Sequence, residues 1–161
     1  MKIRILILRF AAYLVIAIGF SVSSLNALAS GTGTEDLINM AEDGNPMAQR
    51  MLGERYAMGL EGAPLDFEKA IFWWNKAAEN GDAFAQYNLG VFYKLGQGSM
   101  EKDYVQAYMW FSIAEAFAKD TTSGRAAKKK AENEKKSIEP SMTSQQIQKA
   151  QSMADIWIMK H

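Results

Sequence analysis

The sequence has no cysteine, so neither disulfides nor thiolate metal sites can hold the fold, and packing must supply its stability. Its one histidine is the last residue, His161, which leaves nothing from which to build a histidine triad or a histidine metal cluster. A calcium loop of the D-x-D-x-D-G type is missing as well. Carboxylate pairs such as Glu35 with Asp36, Glu42 with Asp43 and Glu101 with Asp103 fall at helix ends or in loops, where they cap or face solvent. No metal and no cofactor is therefore expected. An excess of charge is also lacking, since 18 basic residues face 18 acidic ones. Without Lys2, Arg4 and Arg9, which lie in the N-terminal segment described next, 15 basic residues face 18 acidic ones, a net charge of −3. That balance gives no electrostatic reason to bind nucleic acid. What remains, 48% hydrophobic and 22% charged over 161 residues, is the composition of one globular domain.

Residues 1–29 join the basic start to an apolar stretch, Phe10 to Phe20, and to small residues at Ala27 and Ala29. This is the pattern of a secretory signal peptide with an A-x-A cleavage site. The apolar core after Arg9 falls short of the roughly 20 residues that a membrane helix needs. An uncleaved anchor from Ile3 to Phe20, with Arg9 as its flaw, is the alternative. Cleavage after Ala29 leaves residues 30–34 as a flexible leader and a protein that is periplasmic or secreted, with no further membrane contact.

Sliding the chain by 37 residues places Gly44 on Gly81, Ala48-Gln49 on Ala85-Gln86, Leu52-Gly53 on Leu89-Gly90, Tyr56 on Tyr93 and Gly59 on Gly96. Asp66 then falls on Asp103, Ala70 on Ala107, Trp73 on Trp110 and Ala77 on Ala114. Self-similarity of this period marks a solenoid. Ala48, Leu52 and Tyr56 recur every four residues, which predicts a first helix near 47–58 and again near 84–95. Gly53 and Gly90 inside these helices cost about 1 kcal/mol each relative to Ala, and close backbone approach by a neighbouring helix is the expected compensation. Gly59 and Gly96 should stop the helices in the left-handed conformation. Asp66 and Asp103 are natural N-caps for second helices near 67–80 and 104–118, where small and large residues alternate on one face. The expected fold is all-α, a short α-solenoid of antiparallel helix pairs, with six to seven helices over residues 35–160. A lead-in helix at 35–43 precedes repeat one (45–81), repeat two (82–118) and a diverged closing helix pair (121–160).

The run Ala48-Gln49-x-x-Leu52-Gly53-x-x-Tyr56-x-x-Gly59, followed by Asp66-x-x-Lys69-Ala70-x-x-Trp73-x-x-Lys76-Ala77-Ala78-x-x-Gly81, resembles the Sel-one-like repeat (SLR) family, relatives of the tetratricopeptide repeats. The second copy keeps Ala85-Gln86, Leu89-Gly90, Tyr93, Gly96, Gly98, Asp103, Ala107 and Trp110. It departs at Ser112, Ile113 and Glu115, which stand where the first copy has Asn75, Lys76 and Ala78. The resemblance implies a right-handed superhelix that serves as an adaptor for other proteins, often at the bacterial envelope.

First helices line the concave side of such a stack, so their non-core positions form the candidate partner-binding surface. Arg50, Glu54 and Arg55 come from one copy, and Tyr87, Asn88, Val91 and Lys94 from the next. Trp73 and Trp110 recur and are assigned to the core, whereas Trp74 and Tyr108 do not recur and are candidate exposed anchors. The expected function is an exported adaptor that holds another protein and does no chemistry of its own. A cap or regulator acting on an enzyme would share the same binding chemistry. The alternative is an envelope enzyme or penicillin-interacting repeat protein using Ser99 and Lys102 of the S-x-x-K run Ser99-Met-Glu-Lys102, although the S-D-N and K-T-G partners of that chemistry are missing.

Overall fold

A computed structural model describes residues 32–98 and 100–161. Among them run seven α-helices: α1 Thr32–Glu42, α2 Pro46–Met58, α3 Phe67–Glu79, α4 Ala83–Leu95, α5 Tyr104–Phe117, α6 Thr122–Ile138 and α7 Ser144–Ile158, with a 3-10 turn at Glu139–Ser141 before the last. The signal segment lies outside the described residues. Helix α1 starts at Thr32, inside the stretch read as a flexible leader.

Two junctions alternate, and each recurs after 37 residues. Where a second helix hands over to the next first helix, Gly44 and Gly81 adopt φ of +88° and +79°, a conformation that a side chain would strain. The Asn45 and Asp82 N–H groups then donate back to the Met40 and Ala77 carbonyls. The same two residues cap the following helix, their side chains accepting from the Ala48 and Ala85 N–H groups. Helix stop and helix start thus fit into a turn of three residues. At the other junction the Asp66 and Asp103 side chains accept from the Lys69 and Gln106 N–H groups, each at 3.0 Å. Their own N–H groups donate to the Tyr56 and Tyr93 carbonyls at 2.9 Å, which ties each loop to the helix it has left.

Gln49 and Gln86 carry the repeat register through the core. They are 3% and 0% exposed, and each donates from Nε2 to the preceding second helix, Gln49 to the Ala41 carbonyl at 3.0 Å and Gln86 to that of Ala78 at 3.1 Å. These carbonyls sit in last turns, where intrahelical donors run out. Asn80 Nδ2 donates to Gln49 Oε1 at 3.1 Å. The matching position in repeat two is Phe117, so Gln86 Oε1 is buried without a partner.

What approaches the helix glycines is an aromatic ring, not the backbone expected from the sequence. A Cβ on Gly53 would stand 2.5 Å from Trp74 Cδ1, and one on Gly90 would stand 2.5 Å from the Phe111 ring. Trp74 and Phe111 are themselves 37 residues apart, so the aromatic position recurs under a different residue type. The reading of Trp74 and Tyr108 as exposed anchors is corrected accordingly. Trp74 is 6% and Tyr108 3% exposed, and the Tyr108 hydroxyl donates to Glu139 at 3.2 Å.

Helix α5 buries Ala107, Tyr108, Met109, Trp110, Phe111, Ile113 and Ala114, leaving it apolar on nearly every side. Such a helix has to be surrounded. Helices α4, α6 and α7 pack on it, and α6 and α7 meet chiefly through it instead of pairing as α2 does with α3 and α4 with α5. Ile113 replaces the exposed Lys76 because α7 covers this face: Trp157 packs edge-on against Trp110 at 5.7 Å and Phe117 at 5.3 Å.

Gly90→Ala would gain about 1 kcal/mol in helix propensity but push a methyl into Phe111, where overpacking costs about 1–3 kcal/mol. A net loss of stability of up to about 2 kcal/mol is expected in urea unfolding, against a change within about 0.5 kcal/mol for Asn133→Ala on the exposed face of α6. A G90A protein more stable than the wild type by about 1 kcal/mol, the full gain in helix propensity, would contradict the ring-on-glycine seat.

Candidate partner-binding groove

The outward positions of α2 and α4 match pairwise across the repeat, Met47 with Phe84, Met51 with Asn88, Glu54 with Val91, and Met58 with Leu95. Between the two helices lies an open groove of about 280 Å³, walled by Glu54, Ala57 and Met58 on one side, by Tyr87, Asn88, Val91 and Phe92 on the other, and by Trp74 of α3. Four of the seven residues chosen from the sequence, Glu54, Tyr87, Asn88 and Val91, therefore line one groove.

One carboxylate organises its polar rim. Glu54 Oε1 accepts from Arg50 at 2.8 Å and from Asn88 Nδ2 at 3.1 Å, tying α2 to α4. Arg50 also reaches Asp82 Oδ2 at 3.3 Å. Burial by itself would lower the Arg50 pKa, but the hydrogen bond and charge of Glu54, joined by Asp82, outweigh it and hold the guanidinium above its ordinary value. The rim is thus a matched set, with no unpaired charge offered to a ligand.

Arg55 and Lys94 lie outside this groove. Arg55 pairs with Glu61 and donates to the Gly33 carbonyl at 3.3 Å, on the α1 side. Lys94 pairs with Glu134 and donates to Ser137 Oγ at 2.9 Å, clamping α4 to α6. Reasoning from sequence passed over Phe84 and Lys130: Arg50 and Lys130 flank the Phe84 ring at 5.7 and 5.6 Å, and Lys130 also faces Tyr87 at 5.7 Å. Trp74, read as an exposed anchor, instead walls the groove from a buried position, its indole Nε1 without a hydrogen-bond partner. The spacing from Trp74 to Phe111 was the signal that could have found it.

Of the S-x-x-K run, Ser99 lies outside the described residues, and Lys102 is exposed in the loop before α5. Among the described residues no cluster of three histidine, aspartate or glutamate side chains could hold a metal ion, and no helix is long and apolar enough to cross a membrane.

The Sel1 repeat family matches residues 46–82 and 83–116, stretches that open on the first residues of α2 and α4. The chain carries two Sel1 repeats. Among solved structures, a protective antigen present in uropathogenic Escherichia coli strains and displaying an SLR fold is 29% identical, with a TM-score of 0.67 over 92% of this chain and 28% of its own. A Sel1 repeat protein from Oxalobacter formigenes is 30% identical, with a TM-score of 0.57 over 73% of this chain and 44% of its own. The chain thus spans less than half the length of either. No curated protein matches it in sequence. Sel1 repeats generally mediate contact between proteins and are typically non-enzymatic scaffolds.

Burial, with the charge of Glu134 added, raises the Tyr87 phenol above its ordinary value of 10.0, and burial likewise raises Tyr93 and Tyr108. A folded value above the unfolded one gives stability that is complete below the ordinary tyrosine range and lost as pH climbs through the raised value. Ultraviolet titration should therefore show late-ionising phenols, one fewer in Tyr87→Phe, and unfolding measured above the ordinary range should be less pH-dependent in that variant. Ionisation of Tyr87 at or below its ordinary value would contradict this placement.

Proposed function

We propose that the protein is an exported adaptor that holds another protein in the groove between α2 and α4 and does no chemistry of its own. The outward face of these helices carries the reading. Met47, Met58 and Leu95 stand 61%, 60% and 47% exposed beside the half-buried Tyr87 and Val91. Exposed apolar side chains with a polar rim mark a docking site, and thioether side chains adapt to the surface they meet. The matched rim of Arg50, Glu54 and Asn88 would orient a partner without demanding a charge from it. Export rests on the basic start, apolar core and small residues of 1–29, which direct the repeats to the periplasm or beyond.

A photo-crosslinking residue at Val91 in cells is expected to give a discrete adduct with one protein, and the same residue at Glu68 on the exposed face of α3 none. Tyr87→Ala should reduce the Val91 adduct about tenfold or more, as for an aromatic interface anchor. Equal labelling from both positions, or no adduct from Val91, would sink the reading. The mature protein should begin at Ser30 on N-terminal sequencing of the envelope fraction, and an intact Met1 in the cytoplasmic fraction would overturn export.

A further inference from the structure

In the second repeat, one side of the first helix is covered by the first helix before it. Arg50 of α2 lies over the Phe84 ring of α4, and Glu54 of α2 accepts from Asn88. The same positions on α2 itself are Met47 and Met51, and among the described residues no first helix precedes α2. Met47 and Met51 stand 61% and 39% exposed. Helix α1 packs on the neighbouring Ala48 and Leu52 and leaves this side of α2 open. The same opening shows on α1, whose Met40 is 49% exposed where its counterpart on α3, Ala77, is fully buried. Met40 and Met47 flank the turn that joins α1 to α2, closed by the Asn45 N–H on the Met40 carbonyl, and Met51 follows Met47 one helical turn along. The three thioethers edge the N-terminal end of the stack. The second repeat shows the shape that fills such a seat, a helix laid along α2 as α2 lies along α4.

Charge selects among helices. Asp36, Met40 and Asp43 follow at i, i+4 and i+7, one stripe along α1 and past its end, with Glu35 and Glu42 beside them. All four carboxylates are exposed, α1 has no basic residue, and among the described residues none of the four is in an ion pair. Glu42 and Asp43 also stand against the dipole at the end of α1, where α2, α3 and α4 close on Arg55, Lys76 and Lys94. An apolar seat rimmed by unpaired carboxylates suits a helix with an apolar stripe and basic flanks. A second copy supplies none. Two such faces would oppose like charges, and α6, the basic helix of this chain, buries Ala127, Ala131 and Ile138 and exposes Lys129, Asn133 and Lys136. We propose that the end face of α1 and α2 docks a basic amphipathic helix of another protein, which prolongs the stack by one first helix. This surface is separate from the α2–α4 groove.

The test titrates a synthetic helix of the length of α2, with leucine along one stripe and lysine elsewhere, into the chain as purified from cells and labelled at its methionine methyl groups. The Met40, Met47 and Met51 signals should shift, and those of Met58 in the groove and Met109 in the core should stay. Asp36→Lys with Asp43→Lys should weaken the helix about tenfold or more. Glu68→Lys with Glu79→Lys, the same change of charge on the exposed side of α3, should leave it bound. A version of the helix with glutamate for lysine should not bind. No shift, a shift at Met58 in place of Met51, or equal weakening by both pairs of substitutions would overturn the proposal. In cells, a photo-crosslinking residue at Met51 should capture a peptide that mass spectrometry reads as a basic amphipathic helix of another protein, undiminished by Tyr87→Ala. An adduct to residues 1–31 of the same chain, or to a second copy, would overturn this occupant and leave the Val91 adduct, and the function proposed from it, untouched.

Discussion

An aromatic ring laid on a glycine in the middle of a helix sets the geometry of this molecule. Trp74 on Gly53 and Phe111 on Gly90 bring each second helix so close to its first helix that a single methyl would collide. That closeness is shared by the alanines at Ala70, Ala77, Ala78, Ala85, Ala107 and Ala114, all fully buried. It also seats the buried glutamines, whose amides reach across one unit to the last turn of the unit before. Spacing, register and the depth of the α2–α4 groove follow from the same contact. Packing of this kind resists changes of even one methylene.

Two repeats make a small solenoid, and such stacks generally need about three units. The flanking helices supply the missing burial by different means. Helix α1 covers the open side of α2 with Leu37 and Ala41 against Leu52 and Trp73. At the other end α5 is buried on almost all sides, with α6 and α7 on separate faces of it. The departures of the second copy from the first are thus adaptations of an end unit. Ile113 lies under α7, and Glu115 receives Lys135 of α6 at 2.8 Å.

Much of this was legible from a single offset. Helices read at 47–58, 84–95, 67–80 and 104–118 fall within one residue of their observed ends, because glycine stops and aspartate caps are local signals. Matching by identity hid the recurrence of Trp74 as Phe111, since what repeats there is a ring and not a residue. Glu54, Tyr87, Asn88 and Val91, grouped by the rule that first helices line the concave face, lie together along one groove. Arg55 and Lys94 were grouped with them from helix position alone. Their neighbours, Glu61 in a loop and Glu134 on α6, depend on contacts that no local spacing reveals.

If the ring-on-glycine seat also shapes the binding groove, disturbing it must harm binding beyond its harm to folding. The direct measurement is the affinity of Gly53→Ala for the partner captured at Val91, beside Ile138→Val in the α5–α6 seam, both under conditions where each variant is folded. Lifting the Trp74 ring should cost about tenfold or more in affinity for Gly53→Ala, with Ile138→Val binding as the wild type does. A folded Gly53→Ala protein that binds as tightly as the wild type would contradict the groove's dependence on that contact.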